Sequence, residues 1–299
     1  MSEAGARPAA RTAAWRTILL SSRPLSWVNT AFPFAAAYLL TTREIDAAWV
    51  VGTLYFLIPY NLAMYGVNDV FDYESDMRNP RKGGVEGAVL DRSLHRPTLF
   101  AVAATNVPFL VYLVAVGTPP SWLVLAVSVF AVLAYSVAGL RFKERPFLDS
   151  VTSSTHFVSP AVYGLVLAGA AVTPPLVVLL AAFFLWGMAS HAFGAVQDIG
   201  ADREGGIASV ATAIGGRATV RFAFAAYALS GILMLFTAWP GPLGALLAVP
   251  YLLAIAPYLS ISDADAERAN AGWKRFLGLN FVTGFLVTML LIWYWTLTS

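Results

Sequence analysis

The sequence predicts an all-α protein that crosses a membrane several times. Of its 299 residues, 58% are hydrophobic and only 12% are charged. A soluble domain of this length could not bury so much apolar surface. The chain contains no cysteine, which excludes a disulfide framework, a thiol nucleophile and a zinc–thiolate site.

Nine apolar stretches are each about long enough to cross ~30 Å of hydrocarbon as a helix. The loops at 117–120 and 239–242 are short and rich in proline and glycine, as expected of turns between such helices. We predict one transmembrane domain, residues 25–299, after a polar segment, residues 1–24, that lacks a signal-peptide cleavage site. The predicted spans are 25–41, 48–67, 98–116, 121–139, 148–170, 175–196, 218–238, 243–260 and 276–297.

The basic residues predict how the chain lies in the membrane. If the N-terminus is cytoplasmic and the nine spans alternate, all 19 Lys and Arg residues except Arg43 lie in or beside a cytoplasmic segment. This satisfies the positive-inside rule and predicts a multi-pass protein of the cell membrane whose C-terminus is outside. The net charge is only +2, and the sequence contains no basic stripe that would indicate binding to nucleic acid. The cytoplasmic segments are 1–24, 68–97, 140–147, 197–217 and 261–275.

Two acidic signatures stand out, because carboxylates near a bilayer are costly unless they have a function. The first, residues 68–76 (NDVFDYESD), follows the second span, and the second, residues 197–202 (QDIGAD), follows the sixth. Each contains aspartates at i and i+4, which lie about 6 Å apart on one face of a helix. The topology places both signatures at the cytoplasmic face. The pairs are Asp72 with Asp76, extended by Asn68, and Asp198 with Asp202.

Carboxylate pairs of this kind suit Mg²⁺, which prefers a few carboxylates together with substrate phosphates over a full protein cage. Four carboxylates that face one another repel, and two Mg²⁺ ions would supply the counter-charge. Metal-bound diphosphate is a good leaving group, because the charge that develops on its oxygens is neutralised. The alternative is a solvated helix end in which the first signature pairs with Arg78 or Arg81.

The spacing of the signatures also predicts an internal repeat. Asp72 and Asp198 are 126 positions apart, and so are Asp76 and Asp202. Four predicted spans lie between the signatures, which indicates two related four-helix units followed by a ninth helix. Parallel repeats in membrane proteins often form a site at their interface. We therefore expect the two acidic faces to lie opposite each other over one cavity.

Two further features could take part in chemistry. The loop after the fourth span contains Arg141, Lys143 and Arg145, which could bind diphosphate oxygens or could be ordinary cytoplasmic anchors. His191 lies in the sixth span, seven residues before Asp198. It could act as a base or line the pocket, or it could form a hydrogen bond between helices, since a histidine inside a membrane helix requires a partner.

Together these motifs resemble the UbiA superfamily of intramembrane prenyltransferases. The resemblance rests on N-D-x-x-D-x-x-x-D after the second span, D-x-x-x-D after the sixth, Tyr-Ser followed by Arg-x-Lys at 135–143, and residues 22–27 before the first span. It implies nine transmembrane helices around a central cavity that opens laterally to lipid. It also implies two Mg²⁺ ions that bind an isoprenyl diphosphate, with Arg23, Asp69 and Tyr135 as further substrate-binding residues.

The residues around the motifs are most similar to the lycopene elongases, which join dimethylallyl units to the ends of lycopene on the way to C50 carotenoids. This similarity implies transfer of a C5 unit from dimethylallyl diphosphate to lycopene or a related carotenoid. The similar segments are 64–76, 78–87, 190–199 and 206–212.

Two alternatives to this interpretation come from different classes of protein. One is UbiA-type prenylation of an aromatic quinone precursor. Members with aromatic acceptors commonly carry a Gly-Gly-Lys-Thr-like motif after the second signature. This chain has the sequence GGIAS at 205–209, which disfavours an aromatic acceptor. The other is an ion-coupled transporter with paired acids at a repeat interface. Its acids would lie near the bilayer midplane, whereas both signatures here lie at helix ends beside basic loops.

Overall fold

The computed structural model describes residues 14–77 and 90–299, with side chains throughout these ranges except those of Ser75 and Asp76. Within these ranges every regular element is a helix and none is a strand, which confirms the all-α prediction. Helices cover most of each predicted span. They are α1 (Trp27–Thr42), α2 (Ala47–Phe71), α3 (Tyr73–Asp76), α4 (His95–Val116), α5 (Pro119–Ser136), α6 (Leu148–Leu167), α7 (Pro174–Val196), α8 (Ile199–Glu204), α9 (Val210–Met234), α10 (Ala248–Ile255) and α11 (Ala269–Leu297).

Six helical stretches in the described part of the chain are long and apolar enough to cross a membrane. The predicted spans at α1, α6 and α9 are helical but are not among the six, because polar residues lower their mean hydropathy. Helix α1 with the 3₁₀ turn before it includes Asn29 and several Ser and Thr residues, α6 carries a run of Ser, Thr and His, and α9 contains two arginines. The count of nine crossings and the internal repeat therefore stay predictions. The six stretches are Ala47–Phe71, Arg92–Val116, Pro119–Ser136, Pro174–Val196, Gly241–Tyr258 and Asp263–Leu297.

The chain divides into two compact units, each with its own apolar core. The first consists of residues 1–141 and 159–169, and the second of residues 142–158 and 170–299. Helix α6 thus contributes its first half to the second unit and its second half to the first. The first acidic signature belongs to the first unit and the second signature to the second. The predicted domain start at residue 25 stays a prediction.

Aromatic side chains fill the core of the first unit. Phe34 of α1 and Phe56 of α2 have ring centroids 5.2 Å apart, and each lies 5.9 Å from the ring of Tyr163 on α6. Tyr55 and Tyr60 surround the same cluster and are almost fully buried. Offset and edge-on aromatic pairs at these separations add about 0.5–1.5 kcal/mol each beyond the burial of their area. These rings therefore serve as core packing around which α1 and α2 are fixed.

Helix α2, which ends in the first signature, is interrupted twice. Ile58 and Pro59 break it after Leu57, because proline lacks the amide hydrogen that the helix ladder needs. A π-helical turn follows at Leu62–Gly66, and regular α-helix resumes at Val67–Phe71. Single π turns inside α-helices are rare overall, but those that occur are often found at functional sites. Such a turn shifts the face of the helix on which the following side chains emerge. The π turn here directly precedes Asn68 and Asp69.

The second unit packs α7, α9, α10 and α11 around another aromatic core. Tyr227 of α9 stacks on Tyr251 of α10 with ring centroids 5.2 Å apart, and Phe193 of α7 is buried in the same cluster. Ser154 of α6 donates a hydrogen bond to the carbonyl of Phe184 on α7 at 2.7 Å. These contacts pack α6, α7, α9 and α10 against one another, and the second signature lies between α7 and α9.

Candidate active site

Asn68 and Asp72 lie side by side at the end of α2, as their i, i+4 spacing predicts. The amide nitrogen of Asn68 donates to Asp72 Oδ2 at 2.7 Å and to the hydroxyl of Ser136 on α5 at 2.9 Å. The carboxylate of Asp72 is 7% exposed. One oxygen-rich corner is therefore built where the ends of two helices meet.

The predicted stripe does not continue as one helix to Asp76. Helix α2 ends at Phe71, and Asp72 adopts φ −99° and ψ 1° before the short helix α3 begins. The side chain of Asp76 lies outside the described residues, as do Arg78 and Arg81, so the helix-end pairing with those arginines stays untested. Among the described residues, Glu74 pairs with Arg92 at an exposed site.

Asp69 is fully buried beside an arginine that is distant in sequence. Arg23 Nη2 lies 3.3 Å from Asp69 Oδ1, and its guanidinium carbon lies 4.3 Å from the ring centroid of Tyr65. Arg23 has a positive φ of 53° between the helical residues 14–21 and the 3₁₀ turn Pro24–Ser26. A buried carboxylate needs a charged or hydrogen-bonding partner, and Arg23 supplies one. Arg23 and Asp69, both predicted to bind substrate, are thus brought together.

A second arginine faces Asp72. Arg141 Nη2 lies 3.7 Å from Asp72 Oδ1, and Arg141 Nη1 donates to the carbonyl of Phe71 at 3.5 Å. The residue has a positive φ of 42° just after the chain leaves α5. Arg141 was predicted to bind diphosphate; in this structure its described contacts are to the first signature. Its guanidinium would therefore lie next to any anion bound at Asp72 through a metal ion.

The second signature forms the connection between α7 and α9. Asp198 occupies the N-cap position of α8, and the amide of Asp202, one turn later, donates to the carbonyl of Asp198 at 2.8 Å. Both carboxylates are half-buried. The preceding residue, Gln197, accepts a hydrogen bond from Asn270 of α11 at 2.6 Å. The pair is therefore presented one helical turn apart, as the spacing predicts.

Helix α8 is held from its other side by an ion pair. Arg203 Nη2 lies 2.7 Å from Asp263 Oδ2, and Asp263 Oδ1 accepts the amide of Gly216 at 2.6 Å. Arg203 also donates to the carbonyl of Thr212 at 3.3 Å. These contacts connect the second signature to α9 and to the segment before α11. Sequence reasoning did not assign Asp263 a role, because nothing in its local sequence indicates a distant partner.

His191 lies on α7 beside a buried carboxylate that sequence reasoning missed. Its Nε2 lies 3.7 Å from Asp149 Oδ2, and the imidazole is 20% exposed. Asp149 is in the first turn of α6, so the contact joins two helices. The role of His191 as a base stays a prediction. The one available signal for Asp149 was its position as a lone carboxylate at the start of the fifth apolar stretch.

The remaining predicted substrate-binding residues lie at the ends of helices. Tyr135 is half-buried in the last turn of α5. Lys143 is half-buried in the short 3₁₀ helix Phe142–Glu144, and Arg145 is exposed with its guanidinium 5.4 Å from the Phe142 ring centroid. Their contact with a diphosphate stays a prediction.

The donor set is compatible with Mg²⁺. Among the described residues, no group of three or more His, Asp or Glu side chains is close enough to hold a metal ion. Asn68 with Asp72, and Asp198 with Asp202, nevertheless supply hard oxygen donors in pairs. Mg²⁺ is usually bound by one or two carboxylates plus substrate phosphates rather than by an all-protein cage. The prediction that both pairs face one cavity stays a prediction, since they belong to different units.

Comparison with known proteins identifies relatives over most of the chain. The UbiA prenyltransferase family matches residues 30–286. The C(50) beta-cyclic carotenoids biosynthesis protein LbtBC of Dietzia sp. is 60% identical over 278 residues, which are 93% of this chain and 64% of that protein. This chain therefore spans just under two thirds of that relative's length. The lycopene elongase/hydratase of Corynebacterium glutamicum is 53% identical over 277 residues, covering 93% of this chain and 96% of that protein.

The fold has a counterpart among solved structures. A UbiA homologue from Archaeoglobus fulgidus, solved with DMAPP and Mg²⁺ bound, has a TM-score of 0.65 and 18% sequence identity, and the match covers 89% of this chain and 98% of that one. At this identity the likeness establishes the fold. The family match, the helical membrane architecture and the acidic helix ends agree with one another. The chain therefore belongs to the UbiA prenyltransferase family and is an integral membrane prenyltransferase.

Proposed function

We propose that this protein transfers a dimethylallyl (C5) unit from its diphosphate to the end of lycopene or a related carotenoid, in a reaction that requires Mg²⁺. The observation that carries the proposal is the 53% identity to a lycopene elongase/hydratase over 93% of this chain. The match extends well beyond the acidic signatures, over 277 residues.

The signatures supply the donors for the metal. Asn68, Asp72, Asp76, Asp198 and Asp202 would hold Mg²⁺, two ions in our proposal, and the ions when bound would neutralise charge on the diphosphate oxygens. The A. fulgidus homologue, of the same fold, was solved with DMAPP and Mg²⁺, which supports the choice of both ligands.

The basic residues would divide into two groups. Lys143 and Arg145 would bind diphosphate oxygens, with Tyr135 as a further contact. Arg23 and Arg141 would orient Asp69 and Asp72 and compensate their charge, in agreement with the Arg23–Asp69 and Arg141–Asp72 distances of 3.3 and 3.7 Å. Arg141 would also contact the diphosphate, since it is 30% exposed beside Asp72.

The bond changes follow from the substrates. The allylic carbon–oxygen bond breaks and the diphosphate leaves with the electron pair. The terminal double bond of the carotenoid then attacks the allylic cation, which forms a carbon–carbon bond and a tertiary cation. That cation either loses a proton directly to form a double bond, or takes up water and then releases a proton to form an alcohol. Diphosphate itself could accept the proton, and His191 is the candidate base from the protein. The membrane would deliver the carotenoid, and the proposed orientation places the site at the cytoplasmic face, where a soluble diphosphate can enter.

The function is tested by expression of the chain in cells that make lycopene, followed by mass spectrometry of the carotenoids. We expect lycopene to be converted to products that carry one or two additional five-carbon units, with or without added water. Cells that express the Asp198→Ala variant are the control and should keep their lycopene. Unchanged lycopene, together with prenylation of an added quinone precursor by the same membranes, would show that the acceptor is aromatic.

A further inference from the structure

Asp149 is a buried carboxylate to which the proposed chemistry gives no role. Its side chain is fully buried in the first turn of α6, where an ionised group is costly unless it is hydrogen-bonded. Its Oδ1 accepts the amide of Ser150 at 2.7 Å, and its Oδ2 accepts the amide of Val210 at 2.7 Å. Val210 is the first residue of α9, and its amide has no partner within its own helix. Asp149 therefore satisfies an amide that belongs to a different helix.

Both ends of the segment that carries the second signature meet this carboxylate. His191, seven residues before Asp198, places Nε2 3.7 Å from Asp149 Oδ2. Val210, eight residues after Asp202, donates to the same oxygen. Helix α8 has only six residues and cannot hold its own position by intrahelical bonds alone. The position of Asp198 and Asp202 therefore depends on contacts outside α8, and the contact with Asp149 at both ends of their segment adds to the Arg203–Asp263 pair.

The backbone of Asp149 extends the same connection to the basic loop. The amide of Asp149 donates to the carbonyl of Arg145 at 2.9 Å, and the amide of Arg145 donates to the carbonyl of Phe142 at 3.1 Å. Lys143 lies inside that turn. One residue is therefore bonded through its main chain to the loop that carries Lys143 and Arg145, and through its side chain to the segment that carries Asp198 and Asp202.

We propose that Asp149 is a positioning residue that fixes the basic loop and the second acidic signature relative to each other, so that both can bind one Mg²⁺–diphosphate. This inference rests on the proposed function. Asp149 acts through Val210, His191 and Arg145 and contacts no reacting atom. An asparagine at 149 has only one side-chain oxygen, so either the Ser150 or the Val210 amide would face an amide group instead of an acceptor.

The test measures binding of Mg²⁺ with inorganic diphosphate by the purified full chain in detergent, from the rise in Tm that these probes produce. For Asp149→Asn we expect about a tenfold weaker apparent affinity, the effect of one lost hydrogen bond to a charged group. Asp46→Asn is the matched control. Asp46 caps the start of α2, where its carboxylate accepts the amide of Trp49 at 2.8 Å and the hydroxyl of Tyr38 at 2.7 Å. That variant should lower Tm and leave the affinity unchanged.

Two variants of His191 separate positioning from proton transfer. His191→Gln keeps a nitrogen donor that can reach Asp149, so its affinity for Mg²⁺ with diphosphate should stay close to that of the wild type. His191→Leu removes the donor and should weaken the affinity. These variants also test the proposal if Asp149→Asn does not fold.

The outcomes distinguish the two proposals. If Asp149→Asn lowers Tm without a change in affinity, as Asp46→Asn is expected to do, the positioning role is wrong while the proposed function stands. Equal affinities of His191→Gln and His191→Leu for Mg²⁺ with diphosphate would also contradict the positioning role. A wild-type chain whose Tm does not respond to Mg²⁺ with diphosphate would overturn both the positioning role and the proposed function.

Discussion

At the scale of single residues, the first signature is held by arginines that lie far from it in the sequence. Asp69 is fully buried and Asp72 nearly so, and each has an arginine within 4 Å. Removal of one partner of such a pair leaves an uncompensated charge, which is strongly destabilising when the site is buried. Arg23 and Arg141 therefore compensate the charge of the two buried carboxylates and fix their orientation.

We expect the metal ligands to be indispensable for turnover. Asp72→Ala and Asp198→Ala should each reduce prenyl transfer by more than about 100-fold, since changes outside the ligand set of a metal site already cost about 10–100-fold. Product formation from dimethylallyl diphosphate and lycopene in membranes measures the effect, and thermal unfolding shows whether the fold is retained. Asp265→Ala, at an exposed carboxylate that accepts only the Ser262 hydroxyl among its described contacts, is the control and should keep full turnover. Full activity of both signature variants would contradict the metal-site assignment.

Asn68 should tune the metal site without being essential for the fold. Its amide bridges Asp72 at 2.7 Å and Ser136 at 2.9 Å, so Asn68→Ala removes both the orientation of the carboxylate and a donor near the metal. We expect the Mg²⁺ concentration for half-maximal turnover to rise by about 10–100-fold. Ser136→Ala keeps the Asn68–Asp72 hydrogen bond and should raise this Mg²⁺ concentration much less. A larger shift for Ser136→Ala than for Asn68→Ala would show that Ser136, and not Asn68, is the residue that tunes the metal site.

At the scale of elements, both signatures lie where a helix is interrupted. The π turn Leu62–Gly66 precedes the first, and the second is followed by Gly215, whose φ of 79° breaks α9 after its first turns. The amide of Gly216 that this break exposes is taken up by Asp263 at 2.6 Å. Asp263 in turn pairs with Arg203 of α8, so the break connects α9 to the helix that carries Asp202.

Gly215 is the glycine at which a side chain should cost most in this region. A Cβ atom there would lie 3.1 Å from Asp263 Oδ1, and a backbone at φ 79° and ψ 162°, a region that is essentially confined to glycine, costs another residue roughly 1–3 kcal/mol. We expect Gly215→Ala to lower the free energy of unfolding by about that amount. Gly278→Ala, in the regular part of α11 with no heavy atom within 4 Å of its Cβ, should be neutral or stabilise by up to about 1 kcal/mol. Thermal unfolding of the two variants in one detergent compares them; equal effects would contradict the strain at Gly215.

At the scale of the whole molecule, the distribution of charge and apolar surface determines how the chain sits in lipid. Large apolar side chains such as Phe100, Phe281 and Phe285 are exposed, as they should be when lipid is the solvent outside the helices. The two units each enclose an aromatic core, so their inner faces are packed by rings while their outer faces are aliphatic and aromatic. Such a surface is stable only in a bilayer or a detergent micelle.

Cysteine labelling can test the predicted orientation directly, because the natural sequence has no cysteine. Glu44 and Asp265 are both exposed and lie in predicted segments on opposite sides of the membrane. We expect Glu44→Cys to react with a membrane-impermeant maleimide in intact cells, and Asp265→Cys to react only after permeabilisation. The opposite pattern would invert the topology and would place the acidic signatures outside the cell.

The sequence by itself determined what depends on local pattern and composition. Long apolar runs predict membrane helices, and the i, i+4 spacing predicted that Asn68 and Asp72 would meet, because both follow from helical geometry alone. The motifs and their flanks were also enough to indicate the family, since they are read directly from the order of residues.

Only the tertiary structure decided which charges meet. Arg23 and Asp69 are 46 residues apart and Asp149 and Val210 are 61 apart, and no period in the sequence connects them. The break at Asp72 likewise depends on how α2 ends against its neighbours, and a helical pattern continues through it in the sequence. Such pairs are selected by packing, because a charge can be buried only where the folded chain brings it a partner. The acidic signatures were therefore visible in the sequence, whereas Arg23, Arg141 and Asp149, which hold them in place, acquired their partners only in the fold.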